Sequence, residues 1–205
     1  MGPRNGYLAV KRLIDVAVAV LGLIVLSPLL VGIAAAILIS SGRPVLYRGP
    51  RVGKAGVSFR IIKFRTMKIG ADRQGDAVTG AADTRVTSIG RRLRRSKLDE
   101  LPQLINVLIG DMSLVGPRPE HPEFVRLYDS EQRRVLDVRP GLTGAASLRF
   151  RSEEEMLTGP NPKDVYVREV MPKKLEIELA YIEHRGLGRD LQILLATLTG
   201  REATR

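Results

Sequence analysis

Asp99 and Glu100 are the residues of this chain whose types and spacing best suit chemistry, within Ser96-Lys97-Leu98-Asp99-Glu100-Leu101-Pro102-Gln103. Consecutive side chains diverge by about 100° in a regular helix, so two such acids share a site only where the backbone is irregular. Pro102 supplies that irregularity, because it cannot donate to the carbonyl of Leu98 and disfavours helical geometry at Leu101. Arg91, Arg92, Arg94, Arg95 and Lys97 precede the pair and are expected to keep both carboxylates ionised. Acids placed this way could hold Mg²⁺ and a phosphate together, and an ionised aspartate is a competent nucleophile at phosphorus. Helix capping competes with that reading: Ser96 as N-cap, Asp99 three residues later, and both acids favoured by the helix dipole. Asp99, Gln103 and Asn106 also form a polar stripe at helical spacing, which suits either a solvated face or a lined pocket.

The elements that must position this pair begin with an uncharged apolar run, Val16 to Ser41, interrupted at Ser27-Pro28. The run is long enough to span a bilayer. Its flanks argue otherwise: Arg4, Lys11 and Arg12 lie on one side and Arg43, Arg48 and Arg51 on the other. Positive residues prefer the cytoplasmic face, and a proline break lets both ends return to it. The run is therefore read as a re-entrant helix-break-helix over residues 1–43, with a kinked spanning helix as the alternative. Asp15, near the entrance, is expected to pair locally with Lys11 or Arg12.

Residues 44–205 have the size of one domain. The formal charge is +11, from 33 Lys+Arg against 22 Asp+Glu, which favours an anionic partner. Nucleic acid is disfavoured, because aromatics are 4% of the chain and Trp is absent, leaving little for base stacking. Without Cys, and with only His121 and His184, disulfides and thiolate or His-based zinc sites are excluded. Any metal is held by oxygen. Short strands are expected at 44–47 and 58–65 with a turn at Gly49-Pro50 between them, then a loop over 70–86. Helices follow at 87–97, 98–109 and 122–136, and two more close the chain, one starting at Pro172 and one carrying Leu187, Leu191, Leu194, Leu195 and Leu198. That last stripe is read as core, with the membrane interface as the alternative. The fold class is mostly α with a small β element.

Leu98-Asp99-Glu100-Leu101-Pro102-Gln103-Leu104-Ile105-Asn106-Val107-Leu108 and Gly110-Asp111-Met112-Ser113-Leu114-Val115-Gly116-Pro117-Arg118-Pro119 resemble the bacterial sugar transferases, the small monotopic phosphoglycosyl transferases. Lys63-Phe64-Arg65-Thr66-Met67, Arg139-Pro140-Gly141-Leu142-Thr143-Gly144 and Tyr181…Asp190-Leu191 match in the same order. The resemblance covers nearly the whole chain, without the large N-terminal membrane domain of longer relatives. It implies transfer of a sugar phosphate from a UDP-sugar to a polyprenyl phosphate such as undecaprenyl phosphate. Asp99 would attack the β-phosphorus and expel UMP, with Mg²⁺ held by Asp99 and Glu100. It also implies a monotopic protein on the cytoplasmic face of the bacterial inner membrane, carrying interfacial helices.

Supporting roles follow from the same resemblance. Arg118 between Pro117 and Pro119 matches the family's rigid nucleotide-binding element, and Lys63 with Arg65 its phosphate-facing basic pair. Arg94 either orients Glu100 or is solvated. Arg151 matches a phosphate-contacting arginine, yet its surroundings depart from the family pattern. Ser147, Phe150 and Ser152 stand where relatives carry Gln, Gly and Asn, and Arg149 competes with Arg151. Glu153-Glu154-Glu155 and the loop Gly159-Pro160-Asn161-Pro162 read as solvated. A homodimer through the C-terminal helices is left open.

Overall fold

The computed structural model describes residues 3–71, 78, 80, 83–157 and 161–200. The expected loops at 70–86 and 159–162 fall partly outside them, at 72–77, 79, 81–82 and 159–160.

The proline break shapes the N-terminal part. The apolar run forms α1 (Pro3–Val25) and α2 (Ser27–Ser41), bent by 61°, far beyond the roughly 20° that marks a sharp kink. Pro28 sits in the first turn of α2, where its missing N–H costs nothing, and Ser27 Oγ donates to the Ile24 carbonyl at 2.7 Å. Among the described residues no single helix is long and apolar enough to cross a membrane, although the bent pair together has the length and composition. Leu13, Leu21, Ile24, Val25, Val31 and Ile39 of this pair are exposed.

The inner face of α1 packs on the rest of the chain, and here the local ion pair expected of Asp15 does not form. Asp15 is buried and accepts from the Leu114 N–H at 3.0 Å. Arg12 donates to the Val107 and Leu108 carbonyls at 2.6 and 3.0 Å, and Lys11 pairs with Asp190 at 2.7 Å. Each charge has a distant partner better than its helical neighbour, since carbonyls at a helix end and a buried carboxylate both lack water. Tyr7 and Tyr181 donate to the same Asp190 carboxylate.

β1 (Leu46–Val52) and β2 (Ser58–Phe64) pair antiparallel, from Leu46 opposite Phe64 to Val52 opposite Ser58. Gly49-Pro50 lies inside β1 rather than in a turn. A two-stranded ribbon leaves each strand an unpaired edge on which proline loses no ladder bond, and the chain reverses at Lys54–Gly56 instead. α3 (Ser88–Ser96) is capped by Thr87, whose Oγ1 accepts from the Gly90 N–H at 3.0 Å. A 3₁₀ turn, Leu98–Gln103, leads into α4 (Leu104–Ile109). β3 (Ser113–Val115) pairs in parallel with β4 (Gly141–Thr143). Between them the single helix expected over 122–136 is broken into α5 (Pro122–Val125) and a 3₁₀ segment, Gln132–Asp137. Asp129 and Gln132 exchange side-chain and backbone hydrogen bonds at the break, a local alternative to helix.

α6 (Ala145–Arg149), α7 (Glu153–Met156), α8 (Pro162–Val165), a π segment (Tyr166–Val170), α9 (Met171–Glu183) and α10 (Leu187–Thr199) complete the described chain. It is mostly helical with two small sheets, as expected. On α10 the inner face is Asp190, Ile193 and Ala196, while Leu187, Leu191, Leu195 and Leu198 point outwards.

Asp99, Gln103 and Asn106 are all buried, so their stripe is not a solvated face. Asn106 serves as a strand partner: Oδ1 accepts from the Ile62 N–H and Nδ2 donates to the Arg60 carbonyl, both at 2.9 Å. Asn106→Leu strands both backbone groups and should cost about 2–4 kcal/mol in denaturant melts. Glu178, buried on α9 with neither carboxyl oxygen hydrogen-bonded, has its pKa pushed up by burial to about 8. An unfolded glutamate titrates near 4.3, so between those values the folded protein holds the extra proton. Stability is therefore highest at the acid end of that window and falls as pH rises to about 8. Melting temperatures across the window should show that slope, and Glu178→Gln should flatten it.

Candidate active site

Lys97 makes the turn that presents the acid pair. Its left-handed backbone, φ 58°, ends α3 and starts the 3₁₀ turn carrying Asp99 and Glu100, at a cost of about 1 kcal/mol for a non-glycine residue. Ser96 does not cap this turn, because its Oγ donates back to the Arg92 and Leu93 carbonyls. Pro102 sits within the turn, and the irregular geometry expected from it is present. Asp99 points inwards and is 3% exposed, and its Oδ1 is buried without a hydrogen-bond partner. Glu100 points towards a different neighbour.

That neighbour is Arg118. Its Nη2 and Nη1 reach Glu100 Oε1 and Oε2 at 2.6 and 3.2 Å, a two-pronged pairing that fixes direction as well as charge. Arg118 belongs to the loop between β3 and α5, which the parallel strands fasten on both sides. The Gly116 N–H donates to the Thr143 carbonyl at 3.0 Å, and the Gly141 N–H to the Pro117 carbonyl at 2.8 Å. A Cβ on Gly141 would lie 2.2 Å from the Gly116 nitrogen, so the two backbones cross with no room for a side chain. Two prolines and this crossing make Arg118 a stiffly held cation.

The electrostatics separate the two acids. Burial pushes Glu100 up, but the charge and hydrogen bonds of Arg118 outweigh it, and Glu100 is held at about 2. Asp99 is shifted up, by burial first and then by the Glu100 charge, against the pull of Lys63, Arg94 and Lys97. The expectation that the basic stretch keeps both acids ionised thus describes Glu100, while for Asp99 burial outweighs the cations. Lys63 on β2 lies within electrostatic reach of both acids. Burial pushes its pKa down to about 8, with Arg94 and Arg51 adding to the fall and Asp99 and Glu100 opposing it.

The remaining expected residues are placed as follows. Arg94 donates from Nε to Thr66 Oγ1 at 2.9 Å and acts on Asp99 through charge; the residue that orients Glu100 is Arg118. Arg65 is parted from Lys63. β2 ends at Phe64, so strand alternation no longer directs Arg65, and its Nη2 instead donates to the Ser41 carbonyl and hydroxyl and the Gly42 carbonyl. It thereby satisfies carbonyls at the end of α2. Arg151 is exposed with its guanidinium next to Gly200, where a Cβ would be 3.3 Å from Nη1. Ser27 and Pro28 form the helix break described above. Two residues were missed by sequence reasoning. Arg51, counted there only as a flanking charge, lies in electrostatic reach of Lys63 and Arg118. Glu178 is an acid at helical spacing from the apolar Leu175 and Ile182, and that placement was its signal.

Among the described residues no three Asp, Glu or His side chains converge as a ready-made metal cage. The unpartnered Asp99 Oδ1 nevertheless suits a hard cation, and Glu100 keeps free lone pairs beside Arg118. Mg²⁺ is commonly bound by one or two carboxylates plus substrate phosphates, and these two acids fit that mode.

Residues 6–201 match the family described as Bacterial sugar transferase. The chain is 40% identical over 192 residues to the UDP-glucose:undecaprenyl-phosphate glucose-1-phosphate transferase of Caulobacter vibrioides, covering 92% of this chain and 68% of that protein. It is 39% identical over 195 residues to the Escherichia coli protein of the same name, covering 92% of this chain and 39% of the relative. With the UDP-N-acetylgalactosamine-undecaprenyl-phosphate N-acetylgalactosaminephosphotransferase of Aeromonas hydrophila it shares 42% over 151 residues, 71% of this chain and 35% of that one. The chain thus spans well under half the length of the last two. A family match running through both the acid turn and the Arg118 loop, with relatives near 40% identity across most of the residues, places the chain in the bacterial sugar transferase family.

Proposed function

We propose that this enzyme transfers a sugar phosphate from a UDP-sugar to undecaprenyl phosphate through an aspartyl-phosphosugar intermediate, releasing UMP. The observation that carries the reading is Asp99: a buried carboxylate with an open oxygen, next to a carboxylate that is locked to arginine. Phosphoryl transfer asks mainly for positioning and charge neutralisation, and Lys63, Arg94 and Arg118 supply cations at the site. Relatives are named for different sugars, glucose and N-acetylgalactosamine, so the donor is proposed as a class.

In the first step an Asp99 carboxylate oxygen attacks the β-phosphorus of the donor. The bond from that phosphorus to the bridging oxygen breaks, and its electron pair leaves with UMP. In the second step an oxygen of the lipid phosphate attacks the same phosphorus, the Asp99–phosphorus bond breaks, and the carboxylate is regenerated. Raised basicity makes Asp99 a stronger nucleophile once ionised, and Lys63 faces it as a counter-charge. Arg118 keeps Glu100 anionic and fixed. Bound Mg²⁺, held by Asp99 and Glu100, supplies neutralisation of the diphosphate charge.

The acceptor's tail lies in lipid, so the site must meet the membrane surface. We propose that α1 and α2, within residues 1–43, form a re-entrant segment in the cytoplasmic leaflet of the bacterial inner membrane. Residues 44–205 would then sit on its cytoplasmic face. The outward leucines of α10 would lie in the interface. The exposed apolar faces of all three helices support this reading.

Purified protein with Mg²⁺, undecaprenyl phosphate and a UDP-sugar panel should release UMP in a lipid-dependent manner. Asp99→Asn should lower that rate by about 10³-fold or more. Without lipid the first step should release no more than about one UMP per enzyme; continued turnover without lipid would sink the transferase and point to a hydrolase. With donor alone, mass spectrometry should find the phosphosugar on Asp99. Arg118→Lys keeps the charge but loses the fork, and kcat/KM should fall about 10- to 100-fold.

A further inference from the structure

Lys63 belongs to a strand that packs on the acid turn, and its neighbour Ile62 is tied by its N–H to Asn106, on the helix that continues from that turn. Among the described residues Lys63 has neither an ion-pair nor a hydrogen-bond partner. Burial and the nearby Arg94 and Arg51 work against its charge. What it does have is an aromatic ring. Tyr47 is its direct partner across the β1–β2 ribbon. The Lys63 Nζ stands over the Tyr47 ring, 5.5 Å from the centroid, within the roughly 6 Å over which a ring face attracts a cation.

The ring reaches this place by leaning along its own strand. Alternate residues of a strand share a face, so Tyr47, Gly49 and Arg51 line the same side of β1. A Cβ on Gly49 would fall 2.4 Å from the Tyr47 hydroxyl oxygen, 2.5 Å from Cε1 and 2.7 Å from Cζ. The ring thus fills the space that a side chain at Gly49 would need. Gly49 is not among the glycines with positive φ, so backbone conformation does not call for glycine here. A glycine inside a strand weakens it and often marks a close approach; at Gly49 what approaches is the ring. The Tyr47 hydroxyl bonds to none of the described residues, which leaves the ring face as the working part of the side chain.

We propose that Tyr47 is a positioning residue for Lys63: its ring, seated on the bare Gly49 backbone, holds the ammonium on this face of the ribbon, where the donor phosphates are to be met. The phosphate role of Lys63 rests on the transferase reading; the stack of Gly49, Tyr47 and Lys63 does not.

Two readouts on the full chain separate these. Labelling by an amine-reactive reagent near neutral pH, followed by peptide mass spectrometry with the exposed Lys54 as internal reference, reads the stack without any substrate. Tyr47→Leu should speed Lys63 labelling about three- to fivefold relative to Lys54, and Tyr47→Phe, which keeps the ring, should restore it. Gly49→Ala, which displaces the ring, should match Tyr47→Leu and add nothing to it in the double variant. In turnover, Tyr47→Leu and Gly49→Ala should each lower kcat/KM about fivefold, with Tyr47→Phe close to native. In a Lys63→Met background Tyr47→Leu should add less than about twofold. If Tyr47→Leu does not fold, Tyr47→Met takes its place. Unchanged Lys63 labelling overturns the inference, as does equally faster labelling at Lys54, a Tyr47→Phe variant as impaired as Tyr47→Leu, or an equal loss with and without Lys63. Should the native protein turn over no donor, the transferase reading fails, and the labelling result alone decides the stack.

Discussion

Carboxylates on consecutive residues repel, and water, which screens such repulsion at a surface, has been removed from around Asp99. Two unit charges 4 Å apart interact by roughly 4 kcal/mol at an effective dielectric of 20, enough to force one of two outcomes. Either the acids share a proton or their surroundings treat them differently. Here the surroundings differ. Arg118 takes Glu100 and holds it as a permanent anion, while Asp99 is left inside with raised basicity and Lys63 across from it. When neighbouring acids are driven apart in this way, their roles separate too. The left-handed Lys97, the 3₁₀ turn and the crossed β3–β4 loops all act to keep the two acids pointing at different partners.

The bent apolar helix pair is bound to this machinery rather than hung from it. Asp15 accepts from Leu114, immediately after the start of β3, and Arg12 closes the carbonyl end of α4, the helix that continues from the acid turn. At the far end of α2, Arg65 ties the last carbonyls of that helix to the end of β2, two residues beyond Lys63. The bent helix pair and the acid turn are therefore held in one fixed relation at both ends of the pair.

Much of the local structure is legible in the residues, and most of what escapes is tertiary. The irregular turn at Asp99-Glu100 follows from Pro102, and the bend of the apolar run from Pro28. The Glu100–Arg118 pair does not follow from spacing, because 18 residues separate its members and only the parallel crossing at Gly116 and Gly141 brings them together. Arg65 stands beside Lys63 in the family motif, but β2 ends at Phe64 and the carbonyls at the end of α2 draw its guanidinium away. Gly49-Pro50 has the composition of a turn, but cross-strand pairing on an edge strand overrides it. The helix over 122–136 loses to a four-residue exchange of hydrogen bonds at Asp129 and Gln132. For Glu178 the helical spacing shows that an acid lies on an apolar face, and nothing in spacing says that it is buried there without a hydrogen-bond partner.

The cluster at Asp190 has a consequence for the order of events during synthesis. Tyr7 and Lys11 leave the ribosome long before the carboxylate they share, from which Tyr7 is separated by 183 positions. Until α10 emerges, a lysine and a tyrosine at the start of an apolar helix have no internal partner. That helix must spend the interval with these groups in water or at lipid headgroups. Closure of the cluster is thus a late event, the point at which the first helix and α10 become a single unit.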